Sequence, residues 1–212
     1  MGLRILCAIA LICSLCIANA KAGIIVEVGD ASISAGGSGY VDVTAKSDSG
    51  SISISAYAVV IGVSSATLNG SISFDDPQTD ISSDSNFLFS GVASGDYLTY
   101  VYVDNGSGNV SYLDYTNTPV TLNTTSKLIA RVSFTHIAIN TSEGDTFTLT
   151  VDTTNSSFSD DSDPFNPVVH LIGTPRNGQI TVTASVPEPS SFIVLLTLGT
   201  AIGLRRGRRQ TS

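Results

Sequence analysis

His136 and His170 are the only imidazoles of this 212-residue chain, and its three cysteines, Cys7, Cys13 and Cys16, crowd into the first sixteen positions. Two histidines so far apart lack the spacing of a zinc site. Serines are abundant, but no Gly-x-Ser-x-Gly elbow marks one as a nucleophile, so a Ser-His-Asp arrangement has nothing to single out its members. His136 sits in S-F-T-H-I-A at 133–138, directly after a strand-like stretch, and reads as a satisfied sheet or turn histidine. No catalytic residue is expected.

The carboxylates are more numerous. Asp75, Asp76, Asp80 and Asp84 fall within F-D-D-P-Q-T-D-I-S-S-D, and Asp160, Asp161 and Asp163 within S-D-D-S-D. Hard oxygen ligands of this kind suit calcium. Neither group has the D-x-[DN]-x-[DN]-G spacing of a calcium loop. D-N-G-S-G-N at 104–109 resembles that spacing loosely, lacks the closing glutamate, and reads equally as a hairpin turn around Asn-Gly. The expectation is solvated loops and no cofactor, with structural calcium as the open alternative. Paired carboxylates also raise glycoside hydrolysis. With no tryptophan in the chain, a sugar platform would fall to Tyr57, Tyr97, Tyr100, Tyr102, Tyr112 and Tyr115. Tyr100 and Tyr102 share a strand face with Leu98, either a core face or a half-buried surface.

The elements that must position these residues are strands. In G-Y-V-D-V-T-A-K at 39–46, Val41, Val43 and Ala45 share one face, and Tyr40, Asp42, Thr44 and Lys46 the other. L-I-A-R-V-S-F at 128–134 and T-F-T-L-T-V-D at 146–152 alternate in the same way. Period two with one apolar face marks antiparallel strands that are buried on one side and wet on the other. Further strands are predicted at 23–29, 52–63, 86–90, 97–104, 109–114, 167–172 and 179–185, separated by Gly, Asn, Asp and Ser. A-Y-A-V-V-I-G-V at 56–63 reads as a central strand, because β-branched residues dominate and no helix cap precedes it. The polar run 153–166, interrupted by Pro164, reads as a long exposed loop or a partly disordered stretch. The fold class is all-β: a single antiparallel sandwich of about eight or nine strands.

The two ends differ from this body. Met1–Arg4 is short and positive, Ile5 to Ile17 is almost wholly apolar, and Ala18-Asn19-Ala20 has the small-x-small pattern of a signal-peptide cleavage site. Cleavage after Ala20 leaves a mature chain with no cysteine, so an exported core holds together without disulfides. At the other end Val186-Pro187-Glu188-Pro189-Ser190-Ser191 is followed by an apolar run from Phe192 to Leu204 and then R-R-G-R-R at 205–209. The run is short for a bilayer-spanning helix, which needs about 17–25 residues. Ser190, Ser191 and a snorkelling Arg205 extend it. A basic flank fits a cytoplasmic C-terminus. The domains expected are thus a signal peptide at 1–20, an acidic sandwich at 21–185 and a terminal sorting segment at 186–212. Of the 18 acidic residues only Glu188 lies outside 21–185, whereas half of the ten basic ones do, so a chain of net charge −8 encloses a domain of −12. Such a domain repels nucleic acid and anionic lipid.

The terminal segment resembles a PEP-CTERM sorting signal: motif at 186–191, transmembrane helix at 192–204, basic tail at 205–209. The resemblance implies a Gram-negative bacterium and export by the Sec machinery and signal peptidase. The inner membrane would hold the chain transiently until an exosortase cuts near Pro-Glu-Pro. The product would reach the cell surface or extracellular matrix. Val186, Pro187, Glu188, Pro189 and Ser190 would then be read by another enzyme. The body is similar to a cohesin-like sandwich, with a jelly roll as the alternative. The similarity rests on I-I-V-E-V-G-D-A-S-I-S-A-G-G-S-G-Y-V-D-V at 24–43, L-I-A-R-V-S-F-T-H at 128–136 and E-G-D-T-F-T-L-T-V at 143–151. Cohesins bind dockerins, and related sandwiches bind carbohydrate or scaffold. The function expected is a non-enzymatic surface or matrix protein, or alternatively a module that binds a glycan such as exopolysaccharide or a surface protein. A binding module should show a face of clustered tyrosines or an apolar patch.

Overall fold

The structure, a computed structural model, describes residues 23–65, 70–93, 95–139, 143–161, 165 and 167–184. The signal peptide with Ala18 and Ala20, the sorting residues 186–190 and the apolar run 192–204 lie outside the described residues. Among those described, no helix is long and apolar enough to cross a membrane.

Among the described residues, twelve strands form two sheets packed face to face. The smaller sheet contains β1 (Ile24–Val28), β3 (Ser38–Ser47), β8 (Lys127–Ala138) and β5 (Gly70–Phe74), in that spatial order. The larger contains β11 (Val168–His170), β10 (Ser157–Asp160), β4 (Ile52–Ser65), β9 (Thr146–Val151), β12 (Gly178–Thr183) and β2 (Ala31–Ser34). On the other side of β4 it continues through β7 (Asn109–Leu122) to β6 (Tyr97–Asp104). The pairs are antiparallel except β12 with β2, which run parallel.

Alternation builds the core as the sequence predicts. Val41, Val43 and Ala45 of β3, Val132 and Phe134 of β8, and Phe147, Leu149 and Val151 of β9 are all buried. Tyr57, Val59 and Ile61 of β4 stand with the β9 residues on the larger sheet and face those of β3 and β8, and Phe74, Phe87, Phe89 and Phe158 complete the core.

The all-β sandwich stands, with more strands than the eight or nine expected. One predicted strand is absent: 86–90 is a chain of turns touching β8 only through an isolated bridge from Phe87 to Leu128. Phe87, Leu88 and Phe89 are all buried, so this segment plugs the gap between the sheets and has no wet face to alternate with. Conversely, the polar run read as a loop contains β10, which pairs with β4 at Ala56–Ala58.

Candidate binding face

The site begins with a choice of small residues. On β4, Tyr57, Val59 and Ile61 point into the core, so Ala56, Ala58 and Val60 point outward. Register then fixes what stands beside them. Ala56 pairs with Tyr115 and Ser159, and Tyr115 pairs with Leu98. Ala58 pairs with Leu113 and Ser157, and Leu113 with Tyr100. Val60 pairs with Ser111, and Ser111 with Tyr102. Two rows of large apolar side chains therefore flank a floor of two alanines. Leu98 is 56% exposed, Tyr100 61%, Tyr102 68%, Leu113 47% and Tyr115 38%. The floor and its walls enclose a groove of about 390 Å³, closed on the far side by Ser157, Ser159 and Asp161. Val169 of β11, itself 54% exposed, extends the first row past Ser159. Scattered exposed apolar residues are ordinary; a contiguous patch rimmed by polar groups marks an interaction surface.

Beyond Val60 the same face turns polar. A second groove of about 300 Å³ is lined by Tyr102, Asp104, Asn109, Ser111, Asp152 and Asn155 around Val60. Asp104 accepts from the N–H of Gly106 (3.0 Å) and of Ser107 (3.2 Å) and from the Ser107 hydroxyl. The Ser107 hydroxyl foremost, with these amides, holds its carboxyl below the usual range. D-N-G-S-G-N is thus a hairpin turn. Asp152 is lowered likewise, first by Asn155 Nδ2 at 2.7 Å and then by the Thr154 amide.

Beneath the face lies a buried polar relay absent from the sequence reading. Asp114 of β7 is 3% exposed. Tyr57 Oη and Thr99 Oγ1 hydrogen bond to its two carboxylate oxygens, and Tyr57 Oη also lies 2.6 Å from the Ile129 carbonyl in the opposite sheet. Burial foremost raises the Asp114 pKa, with Asp80 adding to it; the bonds from Thr99 and Tyr57 act the other way. A cavity of about 140 Å³ adjoins this relay beside Thr99, Val101, Tyr112 and Asp80. The signal was present: in N-V-S-Y-L-D-Y, alternation puts Asp114 on the inward face with Val110 and Tyr112.

The remaining candidates are structural. His136 is buried; its Nδ1 accepts from the Gly36 N–H at 3.1 Å, its ring meets Phe147 edge-on, and its Nε2 has no hydrogen-bond partner among the described residues. The expected satisfied histidine is thus satisfied at one nitrogen. Asp75 accepts from Thr135, Asp80 from the Ser82 amide and Asp84 from the Asn86 amide. Ser159 donates to Asp161, and Asp163 lies outside the described residues. No group of three or more His, Cys, Asp or Glu side chains converges among the described residues. The smaller sheet has a different surface. Its outward Arg131 makes a two-pronged pair with Asp42 (2.7 and 3.0 Å) and lies 4.7 Å from the Tyr40 ring centre, and Lys46 pairs with Glu27 at 2.9 Å.

No curated protein matches the sequence. Among solved structures, CaCohA2 from Clostridium acetobutylicum is similar over 78% of this chain and 94% of its own, with 21% identity and a TM-score of 0.50. The seventh ScaB type I cohesin of Pseudobacteroides cellulosolvens covers 78% of this chain and 96% of its own at 19% identity and TM-score 0.49. A non-cellulosomal cohesin from the archaeon Archaeoglobus fulgidus covers 81% and 96% at 12% identity and TM-score 0.46. At these identities the likeness is one of fold. The sequence pattern of the PEP-CTERM protein-sorting motif matches residues 185–209. The chain therefore carries a PEP-CTERM sorting motif at its C-terminal end, behind a body with a cohesin-like β-sandwich fold.

Proposed function

We propose that this chain is an exported, non-enzymatic binding module, sorted through its C-terminal signal by an exosortase, whose outward β4–β6–β7–β10 face docks a protein partner. The observation that carries the docking is the pair of exposed apolar rows, Leu98–Tyr115 and Tyr100–Leu113, over the alanine floor. An apolar centre with a polar rim of serines and aspartates is the anatomy of a protein interface, and tyrosine is among the residues that dominate such contacts. A sugar face needs polar groups beside each aromatic ring. Around Tyr100 and Tyr115 the polar groups form only the far wall of the groove, Ser157, Ser159 and Asp161, while Leu98, Leu113 and the two alanines make up the rest. The boundaries that go with this reading are a signal peptide at 1–20 removed after Ala20 by signal peptidase, a sandwich at 21–185 and a sorting segment at 186–212. The inner membrane holds the chain until exosortase acts, and the product resides at the cell surface or in the extracellular matrix.

The test places a photo-crosslinking amino acid at position 100 of the full chain in producing cells, and at position 40 on the opposite sheet as the control. A protein adduct is expected from position 100 and not from 40, and Leu113→Ser should weaken it by about tenfold or more. Equal adducts from both positions overturn the face. Binding of the full chain on a glycan array that Tyr100→Ser abolishes replaces the protein partner with a sugar.

A further inference from the structure

The edge of the binding sheet is as open as its face. Other edges are short or covered. β11 and β2 have three and four residues. β1 is hydrogen-bonded along its outer side by residues 171–176, through Leu171, Gly173 and Arg176. β5 is capped by the Asn105 side chain, which bonds both the N–H (2.7 Å) and the C=O (3.0 Å) of Phe74. β6 has eight residues, pairs with β7 in unbroken register, and has no other strand partner among the described residues. It contains no Pro, Lys or bulge, the devices that normally blunt an edge.

The direction of its free groups follows from β4. The Asp152 N–H donates to the Val60 carbonyl and the Val60 N–H to Ser156 Oγ, both on the β9–β10 side. The Val63 N–H instead donates to Gly108 on the β7 side. Even-numbered residues of this part of β4 thus turn their main chain away from β7, so Val60 and Ser111 form a non-hydrogen-bonded pair. Ser111 and Leu113 accordingly bond toward β6, to Tyr102 and Tyr100. The N–H and C=O groups of Thr99, Val101 and Val103 therefore point out of the sheet at its free edge.

Charge selects among possible occupants. The strands of the eight-stranded sheet contain no Lys or Arg; Lys46 lies on β3, and Lys127 and Arg131 on β8, in the other sheet. Asp80 lies in the cavity beside Thr99 and Val101, on the inner side of the edge, while Leu98, Tyr100 and Tyr102 face outward. A second copy would bring together two domains of the same strong negative charge. We infer that the free edge of β6 takes up an extended segment of a partner protein as an added strand, with apolar side chains alternating with lysine or arginine. This rests on the docking reading above: the apolar side chains of the added strand extend the rows of Leu98, Tyr100 and Tyr102, and its basic ones approach Asp80.

The test uses the full chain isolated in detergent micelles and a synthetic ten-residue peptide of alternating valine and lysine. Its valine–glutamate counterpart is the control. Val101→Pro removes one outward N–H and leaves the bonds to β7, an exchange that an edge strand tolerates; Val101→Thr keeps the N–H. The lysine peptide should bind, Val101→Pro should weaken it about tenfold or more, and Val101→Thr should stay within about twofold. Hydrogen exchange at Thr99, Val101 and Val103 should slow on binding. This last measurement decides the matter on the unaltered chain if Val101→Pro fails to fold. Unchanged exchange there, equal binding of the glutamate peptide or no binding at millimolar peptide overturns the edge. Concentration-dependent dimers abolished by Val101→Pro overturn the choice of occupant in favour of a second copy. If Val101→Pro binds normally while Leu113→Ser does not, the edge fails and the face reading stands; if the crosslinks at position 100 also vanish, both fail.

Discussion

Tyr57 has one hydroxyl proton and two acceptors, the Asp114 carboxyl and the Ile129 carbonyl. A single proton satisfies the chain if Asp114 is neutral: Thr99 donates to one carboxyl oxygen, the protonated oxygen donates to Tyr57, and Tyr57 donates to Ile129 across the sandwich. The raised pKa, caused first by burial, favours the same form. The sign of the pH effect follows. The folded pKa exceeds the unfolded value of 3.8, so this group's contribution to stability is fully present below 3.8 and is lost as pH rises through the folded pKa. Each unit of elevation corresponds to about 1.4 kcal/mol. Asp114→Asn keeps both a donor and an acceptor at the site without ionising. Urea unfolding of the variant should therefore show a flatter pH profile than wild type, with the largest relative gain near neutrality. A wild-type profile that rises with pH, and parallels the variant, would mean that Asp114 is charged in the fold.

Backbone proximity constrains the elements as strongly as side chains do. Gly178, the first residue of β12, lies against the chain at Gly29, between β1 and β2; a methyl group there would sit 2.2 Å from the Gly29 carbonyl oxygen and 2.8 Å from Val28 Cγ1. Gly178→Ala must push two strands apart and is expected to cost roughly 1–3 kcal/mol. Gly95→Ala, which meets nothing within 4 Å, should change stability by less than about 0.5 kcal/mol. Denaturant midpoints of both variants check this; equal midpoints would show that β12 has room to move. Strands with alternation, β3, β9 and β8 from Ala130 onward, were legible because each has one buried face; at the start of β8 the expected alternation fails, since a register shift opposite Val43 and Thr44 buries Leu128, Ile129 and Ala130 together. β10 was not, since S-F-S-D has a single apolar residue; Phe158 becomes a strand residue by packing 5.5 Å from Tyr57 and pairing with β4. The shared face of Leu98, Tyr100 and Tyr102 was legible, but not whether it looks inward. That depends on β6 being an edge and on Leu113 and Tyr115 standing opposite, which only the β6–β7 register decides.

At the scale of the whole molecule, charge separates body from ends. The terminal sequences hold half the basic residues, so the processing proposed at both ends would take a chain of net charge −8 to a domain of −12. A domain so acidic associates with a cationic partner faster at low salt, since exposed charges more than about 8 Å apart are largely screened at physiological ionic strength. The sorting motif makes the C-terminal step testable in the same currency of mass and charge. If exosortase reads Pro187-Glu188-Pro189, the mature wild-type protein lacks Arg205, Arg206, Arg208 and Arg209, and it is recovered from the surface or medium. Glu188→Ala should leave the arginine tail in place, keep the chain in the inner-membrane fraction and raise its isoelectric point, because four positive charges are retained. Intact mass measurement and isoelectric focusing of each cell fraction read both effects. If wild type and variant alike keep the intact tail, the segment is a permanent anchor; the binding face then works at a fixed distance from the membrane and is never released to the matrix.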